Sequence, residues 1–318
     1  MRAVGAGEQR LKKSLADCSV TERHAMIRVA QQADSQVSIQ QLCRLLGVSR
    51  SWFYDRRTQP VSDPDDVALR DAIEAITLDF SGYGYRRVTA QLQRDGWVVN
   101  HKRVLRIMRE EALLCQLKRR FIPTTNSRHA FRRYPNLLAE RVLEAPDQAW
   151  VADITYIRLP TGFVYLATLL DAHSRYCVGW RLSRVIDTTL TLSALDRALR
   201  IRNPPPGLIH HSDQGVQYAS DAYVDRLDAV AAQVSMAAVG NPYENAKAER
   251  FFRTLKHEEV YLNQYDSFAD AETNIARFID DVYNVRRLHS SLGYLPPAEF
   301  EARYLASRRD DALTDCPV

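Results

Sequence analysis

Three consecutive segments rich in β-branched and aromatic residues constrain the fold of this chain more than any other feature. They are Trp150–Leu159, Phe163–Leu170 and Arg175–Ser183, and the turn formers Thr161-Gly162 and Asp171–Ser174 separate them. Short segments of this composition, joined by such turns, form strands that pair antiparallel with their neighbours. The second half of the chain therefore predicts a three-stranded antiparallel meander.

Helices and strands alternate after the meander. The pattern predicts a helix at 188–202, a strand at 208–211, a helix at 219–231, a strand at 233–239 and a long helix at 243–261. A meander followed by this alternation indicates a mixed-sheet α/β domain, and the order resembles that of the ribonuclease-H-like nucleases. We expect a catalytic core with a mixed five-stranded sheet, flanking helices and C-terminal helices over 146–305, followed by a tail at 306–318.

The first half has helical periodicity instead. An apolar stripe indicates a short helix with Ile39, Leu42, Cys43 and Leu46 on one face. Gly47 then provides a left-handed stop, and Ser49 can cap a second helix through Trp52 and Tyr54. This pattern predicts a helix-turn-helix at 37–60 after a helical or loose leader at 1–36, although helical hairpins of this size also occur as packing units.

A second helical unit is predicted at 64–116, after the breaker-rich segment Pro60–Asp66. Its helices are expected at 67–79, 86–94 and 102–112, with Asn100 as the cap of the last. A basic linker at 117–145 follows. The all-α units thus precede the α/β core.

Charge is distributed unevenly along the chain. Residues 1–145 hold 25 Lys and Arg against 16 Asp and Glu, and residues 146–318 hold 18 against 23, so that +9 and −5 give the net charge of +4. A basic front half is typical of DNA-binding proteins, although a solvated basic face gives the same bias. The DNA-binding candidates in this half are Arg50, Arg56, Arg57, Lys102, Arg103, Lys118, Arg119 and Arg120.

Three carboxylates stand at positions suited to metal-ion chemistry. Asp153 lies within an apolar strand, Asp213 follows the strand at 208–211, and Glu249 lies on the long helix. Each alone has an ordinary explanation: Asp153 as the buried partner of an arginine, Asp213 as a turn former and Glu249 as a solvated helix residue. Together they match the hard oxygen ligands with which two-metal sites transfer phosphoryl groups.

Neighbours of these carboxylates are candidates for supporting roles. Asn245, Arg253 and Lys256 share a helix face with Glu249 and are predicted to contact DNA. His211 shares a strand face with Asp213, so it either orients the site or packs, while Gln214 and Tyr218 follow in the next loop. Asn284, Arg287 and His289 are expected either to contact DNA or to form a helix-end cap network.

The sequence resembles the DDE transposases of the retroviral-integrase superfamily, specifically the OrfB type of a large bacterial insertion-sequence family. The matching stretches are Trp150–Ile157, Leu170–Arg175, His211–Tyr218, Gly240–Ala246, Ala248–Phe252 and Tyr283–Pro297, and in the front half Leu42–Ser51 and Tyr83–Arg87. The 35 residues between Asp213 and Glu249 also match the spacing of this superfamily.

The resemblance implies a reaction, a cofactor and partners. Asp153, Asp213 and Glu249 would hold two Mg²⁺ ions, with Mn²⁺ as substitute, for cleavage and strand transfer of DNA. The expected partners are double-stranded DNA, as the inverted-repeat ends of an element and as the target, and further copies of this chain in a synaptic homo-oligomer. Fusion to the product of an upstream reading frame stays open.

Other features narrow the alternatives. The five cysteines are scattered without a C-x-x-C pair, and the zinc-binding segment of retroviral integrases is missing, so no zinc is expected. No apolar run approaches the ~20 residues that span a bilayer, which predicts a cytoplasmic, nucleoid-associated protein without a membrane partner. Glu244 stands off the catalytic face, and Ser235–Val239 lacks basic residues that the family usually has there.

Two other functions remain open. One is an inactive or domesticated transposase that acts as a DNA-binding regulator, and the other is a structure-selective nuclease of the same fold. Tyrosine and serine recombinases are disfavoured, because no basic constellation marks one tyrosine as a nucleophile.

Overall fold

A computed structural model of the chain describes residues 22–23, 26–27, 29–30, 38–51, 64–115, 134–139, 141–237 and 245–314. The chain divides into two compact units, residues 1–69 and residues 70–318. The larger unit contains most of the second helical segment as well as the predicted catalytic core.

The smaller unit contains the first part of the predicted helix-turn-helix. Helix α1, Ile39–Leu45, buries Cys43 together with Ile27. Gly47 follows with φ +64°, the left-handed conformation predicted for the stop. Arg50 and Ser51 are helical, but the predicted continuation through Trp52 and Tyr54 lies outside the described residues.

Three helices cover the second helical segment: α2 (Pro64–Asp79), α3 (Tyr85–Arg94) and α4 (His101–Glu110). The Asn100 side chain caps α4 by accepting a hydrogen bond from Lys102 N at 2.8 Å, as predicted. Val104, Ile107 and Met108 are buried, and the spacing of these apolar positions explains why this segment is an amphipathic helix.

A five-stranded mixed sheet forms the centre of the larger unit, in the order β3-β2-β1-β4-β5. Its strands are β1 (Ala149–Leu159), β2 (Gly162–Asp171), β3 (Cys177–Ser183), β4 (Ile209–Ser212) and β5 (Gln233–Met236). The predicted meander, β1 to β3, is antiparallel, whereas β4 pairs parallel with both β1 and β5. The predicted mixed five-stranded architecture is confirmed.

Helices cover both faces of this sheet. Helix α5 (Thr188–Arg202) and helix α6 (Asp221–Asp228) pack on one face around Trp150 and Leu195. Helix α7 (Ala246–Leu255), which continues as a π-helical turn at Lys256–Val260, packs on the other face with α8 (Phe268–Arg277). A second π-helical turn, Phe278–Tyr283, extends α8, and a 3₁₀ turn, Ser290–Leu292, precedes α9 (Pro297–Thr314).

Several element boundaries differ from the prediction. The third strand begins at Cys177 rather than Arg175, because Arg175 has φ +66° and its N–H closes the turn on Asp171 O at 3.0 Å. The helix predicted at 219–231 is shorter and spans Asp221–Asp228; Ala231, with φ +54°, lies in the turn that follows it. Strand β5 ends at Met236, and α9 continues across the predicted start of the tail at 306 to Thr314.

Candidate active site

Asp153 lies in the middle of β1, on the face of the sheet that α7 covers. Val151 and Ile157, which alternate with it along the strand, belong to the apolar core on that face. Directly opposite in β2 is Thr168, which is fully buried. The Ile154 N–H donates to Asp153 Oδ1 at 2.8 Å, but no ion-pair partner for this carboxylate is found in the described residues.

Asp213 comes directly after β4, at its carboxyl end. The parallel register aligns Val151 with His211, and its continuation brings Asp213 level with Asp153 on the neighbouring strand. The Gly215 N–H donates to Asp213 Oδ1 at 3.0 Å and closes a tight turn. A side chain at 215 would come within 2.9 Å of that same oxygen, so a larger residue there would displace the Asp213 carboxylate.

Glu249 lies in the first turn of α7, and its side chain is exposed. The helix buries the stripe formed by Ala248, Phe251, Phe252 and Leu255 against the sheet. Burial of this stripe fixes the rotation of α7, so that Glu249 lies on the flank of the helix next to the two aspartates.

The three carboxylates share one electrostatic environment. Burial raises the pKa of Asp153 well above its usual value, and the negative charges of Asp213 and Glu249 raise it further. The hydrogen bond from Ile154 and the charge of Lys256 oppose the increase. Mutual repulsion of this kind favours a bound cation, because a cation offsets several negative charges at once.

Three buried oxygens around Asp153 have no hydrogen-bond partner within the described part of the chain: Thr168 Oγ1, Tyr218 OH and Asn245 Oδ1. Burial raises the pKa of Tyr218, and the charges of Tyr223, Asp153 and Asp213 add to the increase, which places this phenol near the carboxylates. Buried oxygens are normally satisfied by protein or by water. They therefore suit a site that holds water molecules or an ion.

Carboxylates and neutral oxygens of this kind fit Mg²⁺ or Mn²⁺, which prefer hard ligands. The described His, Cys, Asp and Glu side chains nevertheless form no ready-made cage of three metal ligands. The donor chemistry thus fits a divalent cation, while the side chains as they stand do not enclose one.

The three residues near Glu249 that were predicted to contact DNA lie in different environments. Arg253 is exposed, as a DNA contact requires. The Lys256 ammonium lies 4.8 Å from the Tyr156 ring centroid, and burial lowers the pKa of Lys256 while Asp153 opposes the decrease. Asn245 differs from the expected surface contact, because it is buried and its Nδ2 donates to Ala152 O at 3.5 Å. This position suits a residue that joins α7 to β1.

His211 and Gln214 are bonded to the protein around the site. His211 Nδ1 lies 2.8 Å from Ser235 Oγ, which also accepts the Leu137 N–H at 2.9 Å. Gln214 Nε2 donates to Ala237 O at 3.0 Å. These contacts connect β4 to β5 and indicate packing and positioning roles.

Of the predicted DNA contacts in the front half, the structure describes Arg50, Lys102 and Arg103. Arg50 starts the second helix of the smaller unit, and Lys102 and Arg103 lie in the first turn of α4 with Lys102 exposed. The other candidates in the front half lie outside the described residues; they are Arg56, Arg57, Lys118, Arg119 and Arg120. Glu244 also lies outside the described residues.

Asn284 and Arg287 form an internal network rather than a DNA surface. Asn284 accepts the Cys177 N–H at 2.9 Å and donates to Cys177 O at 3.2 Å. Arg287 is 2% exposed and forms a two-pronged ion pair with Glu258, both N–O distances being 2.7 Å. The sequence left a DNA contact and a helix-end cap network open; the side chains of Asn284 and Arg287 instead bond to Cys177 of β3 and to Glu258.

Glu258, on the π-helical turn after α7, is a residue that the sequence did not mark as functional. It contacts the segment Tyr83–Arg87: Arg87 lies 4.0 Å from Glu258, and a side chain on Gly82 would overlap Glu258. The Leu288 N–H also donates to Tyr83 OH at 2.7 Å. Glu258 therefore joins the helical segment to the catalytic core. The residues around Glu258 are polar or charged, so the local sequence did not indicate that Glu258 is largely buried.

Comparison with known families assigns the parts of the chain. Residues 144–242 and 231–297 match two models described as integrase core domain, and residues 64–121 match a model described as HTH-like domain. The HTH-like match covers the second predicted helical unit rather than 37–60. In a solved intasome of simian T-cell lymphotropic virus with PP2A regulatory subunit B56 gamma, one chain aligns with a TM-score of 0.43. That alignment has 15% identity over 72% of this chain and 74% of the other.

Two curated relatives decide the family. The transposase for insertion sequence element IS629 of Shigella sonnei is 36% identical over 87% of this chain and 96% of its own length. Transposase InsF for insertion sequence IS3A of Escherichia coli (strain K12) is 34% identical over 86% of this chain and 96% of its own length. The chain belongs to the IS3 family of insertion-sequence transposases. The resemblance that the sequence motifs carried is thereby confirmed.

The transposase assignment also confirms the predicted fold class. Its integrase core is the ribonuclease-H-like α/β domain expected from the strand order, and a helical HTH-like region precedes it. Family membership supports a DNA-cutting and DNA-joining enzyme. Within the described ranges, every helix is too short or too polar to cross a membrane.

Proposed function

We propose that this transposase binds the inverted-repeat ends of its element and catalyses metal-dependent DNA cleavage and strand transfer at Asp153, Asp213 and Glu249. The proposal is supported by the position of Asp213 directly after β4, which pairs in parallel with the strand that carries Asp153, and by Glu249 in the first turn of α7, where its charge acts on Asp153. The electrostatic repulsion that raises the pKa of Asp153 supports a shared cation.

Asp153, Asp213 and Glu249 would hold two Mg²⁺ ions, with Mn²⁺ as substitute. Bound there, the ions would supply activation of the attacking oxygen and stabilisation of the leaving oxygen. The Ile154 and Gly215 N–H groups hold one oxygen of each aspartate and thereby limit rotation of the two side chains. Asn245 keeps α7 against β1, which fixes the approach of Glu249.

The remaining side chains act on DNA and water. Arg253 is exposed on the flank of α7 that carries Glu249, and with Lys256 it would contact backbone phosphates beside the carboxylates. Thr168 Oγ1, Tyr218 OH and Asn245 Oδ1 are buried oxygens available to water in the site. The attacking group is the 3′-hydroxyl of an element end, so the protein itself contributes no nucleophile.

DNA recognition is assigned to the basic front half. Arg50, Lys102, Arg103, the clusters Arg56-Arg57 and Lys118–Arg120, and the HTH-like domain would hold the element end, while two copies or more bring two ends together. The protein would act in the cytoplasm, where the nucleoid supplies both element and target DNA.

Metal removal tests this function. Purified full chain is mixed with a labelled duplex that carries the element's terminal repeat and with a supercoiled plasmid. We expect the label to join the plasmid in Mg²⁺ or Mn²⁺ and not in EDTA, because the clustered carboxylates require the cations. Joining that persists in EDTA, or DNA binding without joining in Mg²⁺, would contradict the proposal.

A further inference from the structure

A cluster of three cations lies on the side of α7 away from Glu249. Lys247 and Arg250 are three residues apart on the helix, and Arg175 lies in the turn between β2 and β3. Tyr283 and Asn284 bring the turn and the helix together. The Tyr283 ring packs against Phe251 of α7 at 4.7 Å, and Asn284 bonds both main-chain groups of Cys177, two residues after Arg175.

The cluster has no carboxylate partner in the described parts of the chain. No Asp or Glu oxygen described there lies within 4.0 Å of a charged nitrogen of Arg175, Lys247 or Arg250. Other part-buried arginines of this unit do have such partners: Arg202 pairs with Asp147 and Glu301.

The charges in the cluster act on one another. Lys247 and Arg175 are partly buried, whereas Arg250 is exposed. Burial lowers the pKa of Arg175; Tyr283 and Asp171 oppose this effect and the positive charge of Arg250 reinforces it. Cations held together partly out of water destabilise the protein unless an anion joins them.

Asp171 does not serve as that anion. Its Oδ1 accepts hydrogen bonds from the His173 N–H and the Ser174 N–H at 2.9 and 2.7 Å, and its Oδ2 accepts the Asp147 N–H at 2.6 Å. The carboxylate is thus occupied by main-chain donors inside the protein. No carboxylate in the described parts of the chain completes the cluster, so an external anion can take that place.

The helix separates this cluster from the candidate active site. The buried stripe of α7 is formed by Ala248, Phe251, Phe252 and Leu255. At about 100° per residue, Glu249, Arg253 and Lys256 fall on one flank of this stripe, and Lys247 and Arg250 fall towards the other. An anion at the cluster is therefore distinct from the phosphate that would react at Glu249.

We propose that Arg175, Lys247 and Arg250 bind a backbone phosphate of duplex DNA outside the reacting phosphodiester. Two guanidinium groups and an ammonium provide the forked donors and point charge that bind phosphate oxygens. The inference rests on the proposed function, since it assigns a DNA ligand to the cluster. It adds a second contact between DNA and the helix that carries Glu249.

The test is the salt dependence of DNA binding by the full-length double variant Lys247→Gln/Arg250→Gln. The probe is a linear duplex carrying the element end, with dissociation constants measured from low to moderate salt. The loss of one phosphate contact lowers the slope of log affinity against log salt by about 0.9, which is the decrease expected for the double variant. Affinity should fall about equally for unrelated duplexes, because phosphate contacts are independent of sequence.

Arg181→Gln/Arg226→Gln is the matched control. It removes the same charge from arginines that pair with Glu272 and Asp196, and its slope should equal that of the wild type. Equal slopes in wild type and Lys247→Gln/Arg250→Gln would overturn the inference, as would an equal loss in the control. If the double variant does not fold, the exposed Arg250→Gln alone should lower the slope in the same direction, by no more than about 0.9.

The joining assay on the same samples separates the two proposals. Mg²⁺-dependent joining by the wild type with no slope change in the double variant overturns the phosphate site alone. A reduced slope together with a wild type that joins no DNA confirms the phosphate contact and overturns the proposed function.

Discussion

Asp213→Asn is expected to reduce strand transfer by the full chain on the order of 1000-fold while DNA binding is retained. The substitution keeps the shape of the side chain but removes one anionic ligand, and a metal centre contributes several kcal/mol to transition-state stabilisation. Asp153→Asn and Glu249→Gln should have the same effect. Single-turnover joining of a labelled element end and filter binding of the same duplex measure the two quantities.

Two controls separate lost chemistry from lost folding. Asp221→Asn removes the same charge from an exposed residue at the start of α6 and should join DNA like the wild type. The Asp153→Asn variant should unfold at a temperature no lower than that of the wild type, because burial and the charges of Asp213 and Glu249 already disfavour the carboxylate at this position. Full joining activity in any of the three site variants would exclude that residue from the centre.

Glu258→Ala is expected to lower the free energy of unfolding by about 3–5 kcal/mol. The reason is the buried guanidinium of Arg287, which would lose both hydrogen bonds of its ion pair and remain charged inside the protein. Chemical denaturation, followed by tryptophan fluorescence, measures the change. The joining activity of the remaining folded protein should also fall, since Glu258 follows directly on the helix that carries Glu249.

The matched surface control is Glu110→Ala. Glu110 pairs with Arg106 at 2.9 Å in an exposed i,i+4 arrangement, and its loss should cost less than about 1 kcal/mol. The double variant Glu258→Ala/Arg287→Met should recover part of the stability, because no unpaired buried charge remains. If Glu258→Ala cost no more than Glu110→Ala, the buried ion pair between Glu258 and Arg287 would not stabilise the protein.

The sequence predicted the strands and the carboxylate positions because those signals are local. Alternating apolar residues around Asp153 marked β1, and the apolar run before Asp213 marked β4. The rule that open α/β sheets bind ligands at the carboxyl ends of their strands marked Asp213, whereas the parallel pairing of β4 with β1 came from the structure. Strand order and family resemblance together were enough to name the fold.

Contacts between distant segments could not be predicted in the same way. Glu258 and Arg287 are charged residues that local patterns place at the surface, and only their mutual pairing allows both to be buried. The Arg175 cluster depends on a left-handed residue in a turn and on the rotation of α7, neither of which the sequence analysis assigned. Asn245 was expected at the DNA surface, but packing of α7 against β1 buries it.

The most direct measurement for the central claim compares two pre-cleaved element ends, one with a 3′-hydroxyl and one with a 3′-deoxy terminus, in the Mg²⁺ joining reaction. If a DNA hydroxyl attacks at the carboxylate centre, the hydroxyl end joins the plasmid, the deoxy end is inert, and no covalent protein–DNA adduct survives denaturation. Joining of the deoxy end, or an adduct that survives denaturation, would show a protein nucleophile and contradict the account.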